Sequence, residues 1–534
     1  MAQPWTFPGV LHVIRPSLLA MAVLMAVLGG QAAQSQPVSP FESDAWSVPG
    51  NGVDARVLAA LEQRGIEPAL PCSDEVFIRR AYLDVIGTLP EAAAVRAFLQ
   101  DDRPGKRAEL IDALLAREEF ADYWALKWCD LLRVKAEFPV NLWPNAVQAY
   151  HRWIRDAIRE NRPYDQFVRE LLTSSGSNFR VAPVNFYRAV QSREPSGLAE
   201  VVALTFMGVR VANWPEERRA DMAAFFSRVA YKGTDEWKEE IVYSDPAATD
   251  TFEAVFPDGA TATIGPGDDP RVVFADWLIA PDNPWFARNI VNRVWSWLMG
   301  RGIIHEPDDI RPDNPPVNPE LLSYLEDELV AGGYDLKHIY RLILNSRAWQ
   351  QSAIARSDDP DAEAMFACYP VRRLDAEVLI DALDWIGGTG ESYTSPIPEP
   401  FTWIPEEQRT IALADGSITS NFLQMFGRPP RDTGLESERS NDTTDAQRLY
   451  LLNSTDVYRR IANSVRLRRV AIAAGGDGAE LTRGVYLTLL SREPTPDELA
   501  AAEAYRQTSG LSSENAATDL AWALINSMEF LYRH

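Results

Sequence analysis

From Val53 onward the apolar residues of the chain recur every three to four positions, the spacing that gathers them on one face of a helix. Over 107–120, Leu110, Ile111, Leu114 and Leu115 share such a face, which predicts a helix there. Over 144–161, Val147, Tyr150, Ile154 and Ile158 do the same, and Pro163 then opens a further helix carrying Phe167, Val168, Leu171 and Leu172. Elsewhere single residues mark the starts and stops. Asn318 and Pro319 read as an N-cap and a first helical residue, Leu321, Leu322, Leu325 and Leu329 form the stripe, and Gly332 and Gly333 end it. Thr495 and Pro496 repeat that start, and the chain is expected to close on a helix from about 516 to 532. Stripes of this kind build a core and are not cofactor boxes.

Helical periodicity fails between about 231 and 270. There Phe252, Ala254 and Phe256 recur at every second position, Pro257, Asp258 and Gly259 supply a turn, and Thr261, Thr263 and Ile264 follow, which predicts a β-hairpin. Gly265, Pro266, Gly267 and Pro270 follow as breakers. The expected fold is mainly α: a helical domain over 50–230, a connection with a small β-hairpin element over 231–270, and a second helical domain over 271–534.

The N-terminus adds an address. Arg15 precedes the apolar stretch Ser17 to Gly30, and Ala32, Ala33 and Ser35 follow it. That layout predicts a signal peptide over 1–35, cleaved between about Ala32 and Gln36, and a periplasmic or secreted mature chain. The apolar stretch is shorter than the roughly 20 residues of a membrane span, and none like it follows, so no span is expected in the mature chain.

Composition narrows the function classes. A chain of 534 residues with 46% hydrophobic content can bury full-sized cores, and its formal charge of −24 repels nucleic acid phosphates. Three cysteines, Cys72, Cys129 and Cys368, are too few for a disulfide scaffold, and no chemistry is assigned to them. His151, His305, His338 and His534 are the histidines of the expected mature chain, with no HExxH, no paired Cys/His spacing, no phosphate loop and no GxSxG. His338, beside Lys337 on a helix, reads as a surface or capping residue. Asp308 and Asp309 read as a solvated turn or a helix start rather than a cation site. No metal site and no cofactor are expected.

Long blocks nevertheless stand in order along the chain. Asp74 to Pro90 (DEVFIRRAYLDVIGTLP), Trp124 to Arg133 (WALKWCDLLR) and Arg162 to Leu172 (RPYDQFVRELL) resemble the first, cytochrome-associated domain (PSCyt-type) of a secreted family abundant in planctomycetes. Asp282 to Trp295 (DNPWFARNIVNRVW), Gly300 to Ile303 (GRGI), Tyr334 to Ser352, Phe426 to Thr433 (FGRPPRDT), Glu436 to Ser454 and Asn526 to His534 are similar to its C-terminal companion domain (PSD-type). The resemblance implies an exported cell-envelope protein of unknown biochemical function. It also implies a partner, because members are often encoded beside a secreted sulfatase-like protein of unknown function.

Departures from the family pattern are informative. After a block like Met207 to Arg210, typical members continue with a CxxCH-type motif; here Val211-Ala212-Asn213-Trp214-Pro215 stands instead. Thioether attachment and axial ligation need the missing atoms, so covalent haem is not expected. Near Glu436 the resemblance implies two cysteines, and this chain has Leu435 and Ser437. Both losses remove sulfur, which suggests one dismantled redox or metal site, with independent drift as the alternative.

Two functional readings follow. The first is a non-catalytic binding or scaffolding protein of the envelope, some of whose 16 tryptophans could contact glycans or proteins while most fill the core. The second is a hydrolase of envelope or sulfated polysaccharide, in which Glu436, Glu438 and Asp375 act as acid and base. Both place the site in the second half. Asn292 and Arg293 interrupt an apolar run, Arg372, Arg373 and Asp375 open a helix, Arg428 lies in a Gly-Pro loop, and Glu436, Glu438 and Arg439 form an acidic-basic cluster. Buried arginine needs a carboxylate or a bound anion, so these residues are expected to converge either as a pocket for an acidic glycan or as internal salt bridges.

Overall fold

The computed structural model describes residues 39–46 and 48–534, so the expected leader lies outside the described residues. The protein is mainly helical, with three small antiparallel sheets among the described residues. None of the described helices is long and apolar enough to cross a membrane.

Local signals explain many element boundaries. Asn318 accepts from the Leu321 amide at the start of the helix Pro319–Ala331. Thr495 and Glu498 cap each other reciprocally at the start of Pro496–Ser509, leaving fewer amides unpaired at that end. The helices Pro144–Arg159 and Tyr164–Thr173 follow their stripes, with Pro163 as the cap before the second. The expected helix over 107–120 is two helices, Lys106–Leu115 and Glu118–Leu131, because Arg117 turns extended between them (φ −77°, ψ 152°). The second buries Phe120 and Trp124 in the core.

The hairpin forms where alternation predicts it, with β4 (Phe252–Val255) paired to β5 (Thr261–Ile264). A second hairpin precedes it: β2 (Val229–Gly233) pairs with β3 (Glu240–Ser244), which also binds β1 (Gly176–Ser177). At the end of the chain the expected helix breaks. Ser513–Ile525 stops, Met528–Leu531 makes one more turn, and β7 (Tyr532–Arg533) pairs with β6 (Arg372–Arg373). Arg372 and Arg373 are therefore strand residues, and the helix they were expected to open starts one residue after Asp375, at Ala376.

Buried apolar side chains form one connected cluster from Val53 to Phe530, to which both halves contribute. Trp124, Trp295 and Trp349 are among its largest members. Cys72, Cys129 and Cys368 are buried free thiols.

Candidate ligand-binding cleft

The helix Glu118–Leu131 presents Tyr123, Lys127 and Asp130 at i, i+4 and i+7, hence on one face. That polar face meets the second half, and the two enclose a cleft of ≈ 480 Å³. Its floor is built from Tyr123, Lys127, Asp375, Arg439 and Arg533, and its walls include Arg372, Trp297, Glu436 and His305. Asp375 is the hub. Its carboxylate accepts from Tyr123 Oη (3.1 Å), Lys127 Nζ (3.0 Å), Arg533 Nη2 (3.2 Å) and Asn441 Nδ2 (3.0 Å), with Arg439 Nη1 at 3.6 Å. Burial alone would push this acid up, but Lys127, Arg533 and Arg439 outweigh it and hold it well below the usual carboxylate range.

Behind the hub the charges continue as a lattice. Arg439 bridges Glu377 (2.7 Å) and Asp130 (2.6 Å), and Arg431 also pairs with Asp130 (2.8 Å). Strand β7 carries Arg533 between Asp375 and Asp84, to which Arg372 donates from the neighbouring strand at 3.1 Å. Gly300 makes room for this arrangement: it sits at φ 73°, and a Cβ there would lie 3.2 Å from Arg372 Nη1. That nitrogen is buried without a hydrogen-bond partner among the described residues.

Glu436 differs from Asp375. It accepts from Trp297 Nε1 at 3.2 Å and faces Arg293 Nη1 at 3.9 Å, while a third of its side chain opens to the cleft. The cleft walls strip water from its carboxyl and push it up, with Asp308 adding to the rise and Lys127 and Arg293 opposing it. Burial also lowers Lys127, with Arg439 reinforcing the effect.

Of the nine residues singled out from sequence, Arg372, Asp375, Glu436 and Arg439 line this cleft. The other five support it from behind. Asn292 exchanges two hydrogen bonds with the Ile304 backbone, both at 2.9 Å. Arg293 is buried against Asp308, whose other oxygen accepts from the Glu436 amide at 2.7 Å. Asp308 is thus a buried partner and not the solvated turn its adjacent acid suggests, because Arg293 on the preceding helix pairs with it. Arg373 holds the carbonyls of Phe426 (2.7 Å) and Ser440 (3.0 Å), and Arg428 binds those of Ile418 and Asp415 and faces Glu377 at 3.5 Å. Glu438 accepts from the Asp432 and Thr433 amides, so its carboxylate ties the loop and turns from the cleft floor. His338 pairs with Glu328 at 2.9 Å.

Sequence reasoning missed Tyr123, Lys127 and Asp130, whose helical spacing was the available signal, and Arg533, whose place in the Asn526–His534 block was the available one.

A second cavity, of ≈ 400 Å³, lies where the two sulfur-poor segments meet: Val209, Arg210 and Ala212 face Thr433 and Leu435 across it. Val211 is buried, and Trp214 lies beneath the Arg218 guanidinium at 3.8 Å.

This architecture defines a mostly helical protein whose two halves share a polar cleft. The PSCyt2 family profile, a protein of unknown function (DUF1549), matches residues 52–228, and that of PSD1, a protein of unknown function (DUF1553), matches residues 270–519. The two regions stand in the order of a two-domain arrangement of unknown function, PSCyt2 followed by PSD1. No curated protein and no solved structure matches it.

Proposed function

We propose that the protein is an exported envelope protein that binds an acidic glycan in the cleft, without turning it over. The observation that carries this reading is the orphaned Arg372 Nη1 on the cleft wall, a guanidinium donor held in place by Asp84 and lacking an acceptor of its own among the described residues. A sulfate or uronate oxygen would satisfy it. The Trp297 ring beside Glu436 offers an apolar face for a pyranose. Binding is favoured over hydrolysis because the two carboxylates read from the sequence as acid–base partners of Glu436 are already engaged. Asp375 is saturated by donors and Glu438 is engaged with the 432–433 amides. A sulfated glycan would also connect this protein to the sulfatase-like partner that the family resemblance implies.

The test is calorimetric titration of the purified chain with size-matched sulfated, uronic and neutral oligosaccharides. The expected result is binding of the anionic sugars, at least about tenfold weaker binding of the neutral one, and loss of binding in Arg372→Ala. Equal affinity for neutral and anionic sugars, or an unaffected Arg372→Ala, contradicts the proposal.

The raised carboxyl of Glu436 supports the hydrolytic reading as a second one, since a proton-bearing acid on a cleft wall is what glycosidic bond cleavage needs. In that case the wild-type chain releases reducing ends from a sulfated polysaccharide and Glu436→Gln binds but does not cleave. Absence of released reducing ends from wild type removes this reading.

A further inference from the structure

The WALKWCDLLR block ends in a residue that the cleft does not use. Past the helix Glu118–Leu131 the chain turns at Arg133, whose φ of 56° lies in the left-handed region that few side-chain-bearing residues adopt. The turn sends the guanidinium inward, where the residue is 1% exposed. Its Nε donates to the Ala189 carbonyl at 2.7 Å, and its Nη1 to the Leu131 carbonyl at 3.1 Å and, more weakly, to Thr205 Oγ1 at 3.4 Å. All three acceptors are neutral. Nη2 has no hydrogen-bond partner among the described residues. Glu438 is the carboxylate whose field reaches Arg133, and its oxygens are already held by Thr433 and the Asp432 amide.

A buried cation with neutral acceptors is costly, and burial pushes this guanidinium down to about 10. Arg133 also lines the ≈ 400 Å³ cavity, whose walls include the apolar side chains of Val201, Leu204, Val209 and Leu435 and two carboxylates, Asp432, which is paired with Lys135, and Glu200, which is exposed to solvent. That volume falls within the ~300–1,000 Å³ of small-molecule sites. At the rim Arg210 pairs with Glu306 at 2.7 Å and keeps its Nε without a partner among the described residues.

We propose that this cavity is a binding site for a small carboxylic acid with an apolar body, its carboxylate on Arg133 and its hydrocarbon against Val201, Leu204, Val209 and Leu435. The walls select this class. A phosphate or sulfate ester would bring more oxygens than the few donors here can satisfy, whereas one carboxylate needs little beyond the free edge of Arg133. A neutral apolar molecule would leave Nη2 buried and unpaired. The site is separate from the glycan cleft and does not depend on that reading.

The test uses the full purified chain and three probes: octanoate, octan-1-ol and inorganic phosphate. Calorimetry is expected to show octanoate binding, octan-1-ol at least about tenfold weaker, and no comparable binding of phosphate alone. Arg133→Met is expected to abolish octanoate binding. Because Arg133 is fully buried, a second variant guards against misfolding: Val201→Phe fills the cavity from a half-buried wall position and is expected to lose octanoate with an unchanged melting temperature. Equal binding of octanoate and octan-1-ol, phosphate binding as tightly as octanoate, no octanoate binding at all, or a folded Val201→Phe that binds octanoate as wild type does would each overturn the proposal.

Discussion

Arg439 and Arg133 are both buried arginines, yet they stand in opposite electrostatic settings. Arg439 has Glu377, Asp130 and Asp375 around its fork, and their combined field holds its proton firmly despite burial. Arg133 has carbonyls and a hydroxyl, and burial lowers it. The difference separates two uses of the same side chain. In the cleft the fold supplies its own counter-charges, so arginine locks helices and strands of both halves together, and Arg372 is a cleft-lining arginine with a nitrogen that lacks an acceptor among the described residues. In the cavity the acceptors on Arg133 are neutral, so a hydrogen-bonded counter-charge has to come from a ligand.

The largest effect expected from this contrast is on stability. Arg439→Met strands Glu377, Asp130 and Asp375 with too few cations and is expected to cost about 3–5 kcal/mol in chemical denaturation. Arg133→Met removes a cation that has no carboxylate partner and is expected to cost roughly 1–2 kcal/mol, the loss of its hydrogen bonds to Ala189 and Leu131. Equal costs would erase the distinction.

Acid is expected to act next, and on the cleft lattice. Asp375 and Asp130 are both held below their ordinary value of 3.8 by the cations around them, against the opposing effect of burial. A carboxylate depressed on folding contributes stability that is fully present above the unfolded value and is lost as pH falls through the folded one. The melting temperature should therefore start to fall below about pH 4 and drop steeply further down, and Asp375→Asn should flatten that limb. An acid limb unchanged in Asp375→Asn would remove Asp375 from the centre of the lattice.

Glu436 reverses the sign. Its folded value is raised above 4.5, so its contribution is present below that value and is lost as pH rises through the folded one. Glu436→Gln is expected to be neutral or stabilising by up to about 1 kcal/mol at pH 7, and to give no gain near pH 4. Destabilisation at pH 7 would show that the charged form is the one the cleft stabilises. The smallest effect belongs to exposed pairs such as Arg64–Asp361, where both side chains are more than half exposed, and Asp361→Ala is expected to change stability by no more than about 0.5 kcal/mol.

Local structure was legible wherever a local cause set it. Asn318 and Thr495 announced helix starts because capping is a contact within four residues, and the 252–264 hairpin showed itself by alternation around Pro-Asp-Gly. The second hairpin, Val229–Gly233 with Glu240–Ser244, was hidden because its strands are mostly half-buried or exposed and alternate weakly. The candidate site was legible only in part. Glu436 and Arg439 stood in a recognisable block and Arg372 and Asp375 at an expected helix start, whereas Arg533, though inside the Asn526–His534 block, reaches Asp84 and Asp375 only through a pairing that spans 160 residues of sequence. Asp308 looked like a solvent-facing acid, and its pairing with Arg293, 15 residues upstream on the preceding helix, makes it a core residue. No spacing rule encodes a contact of that kind.

The most direct test of the account is a crossed titration, in which a sulfated oligosaccharide and octanoate are each titrated into wild type, Arg372→Ala and Val201→Phe under one set of conditions. The account predicts that Arg372→Ala loses the oligosaccharide and keeps octanoate, and that Val201→Phe does the reverse. Loss of both ligands in either folded variant, or retention of both in both variants, would contradict the claim that compensated and uncompensated arginines mark two separate sites.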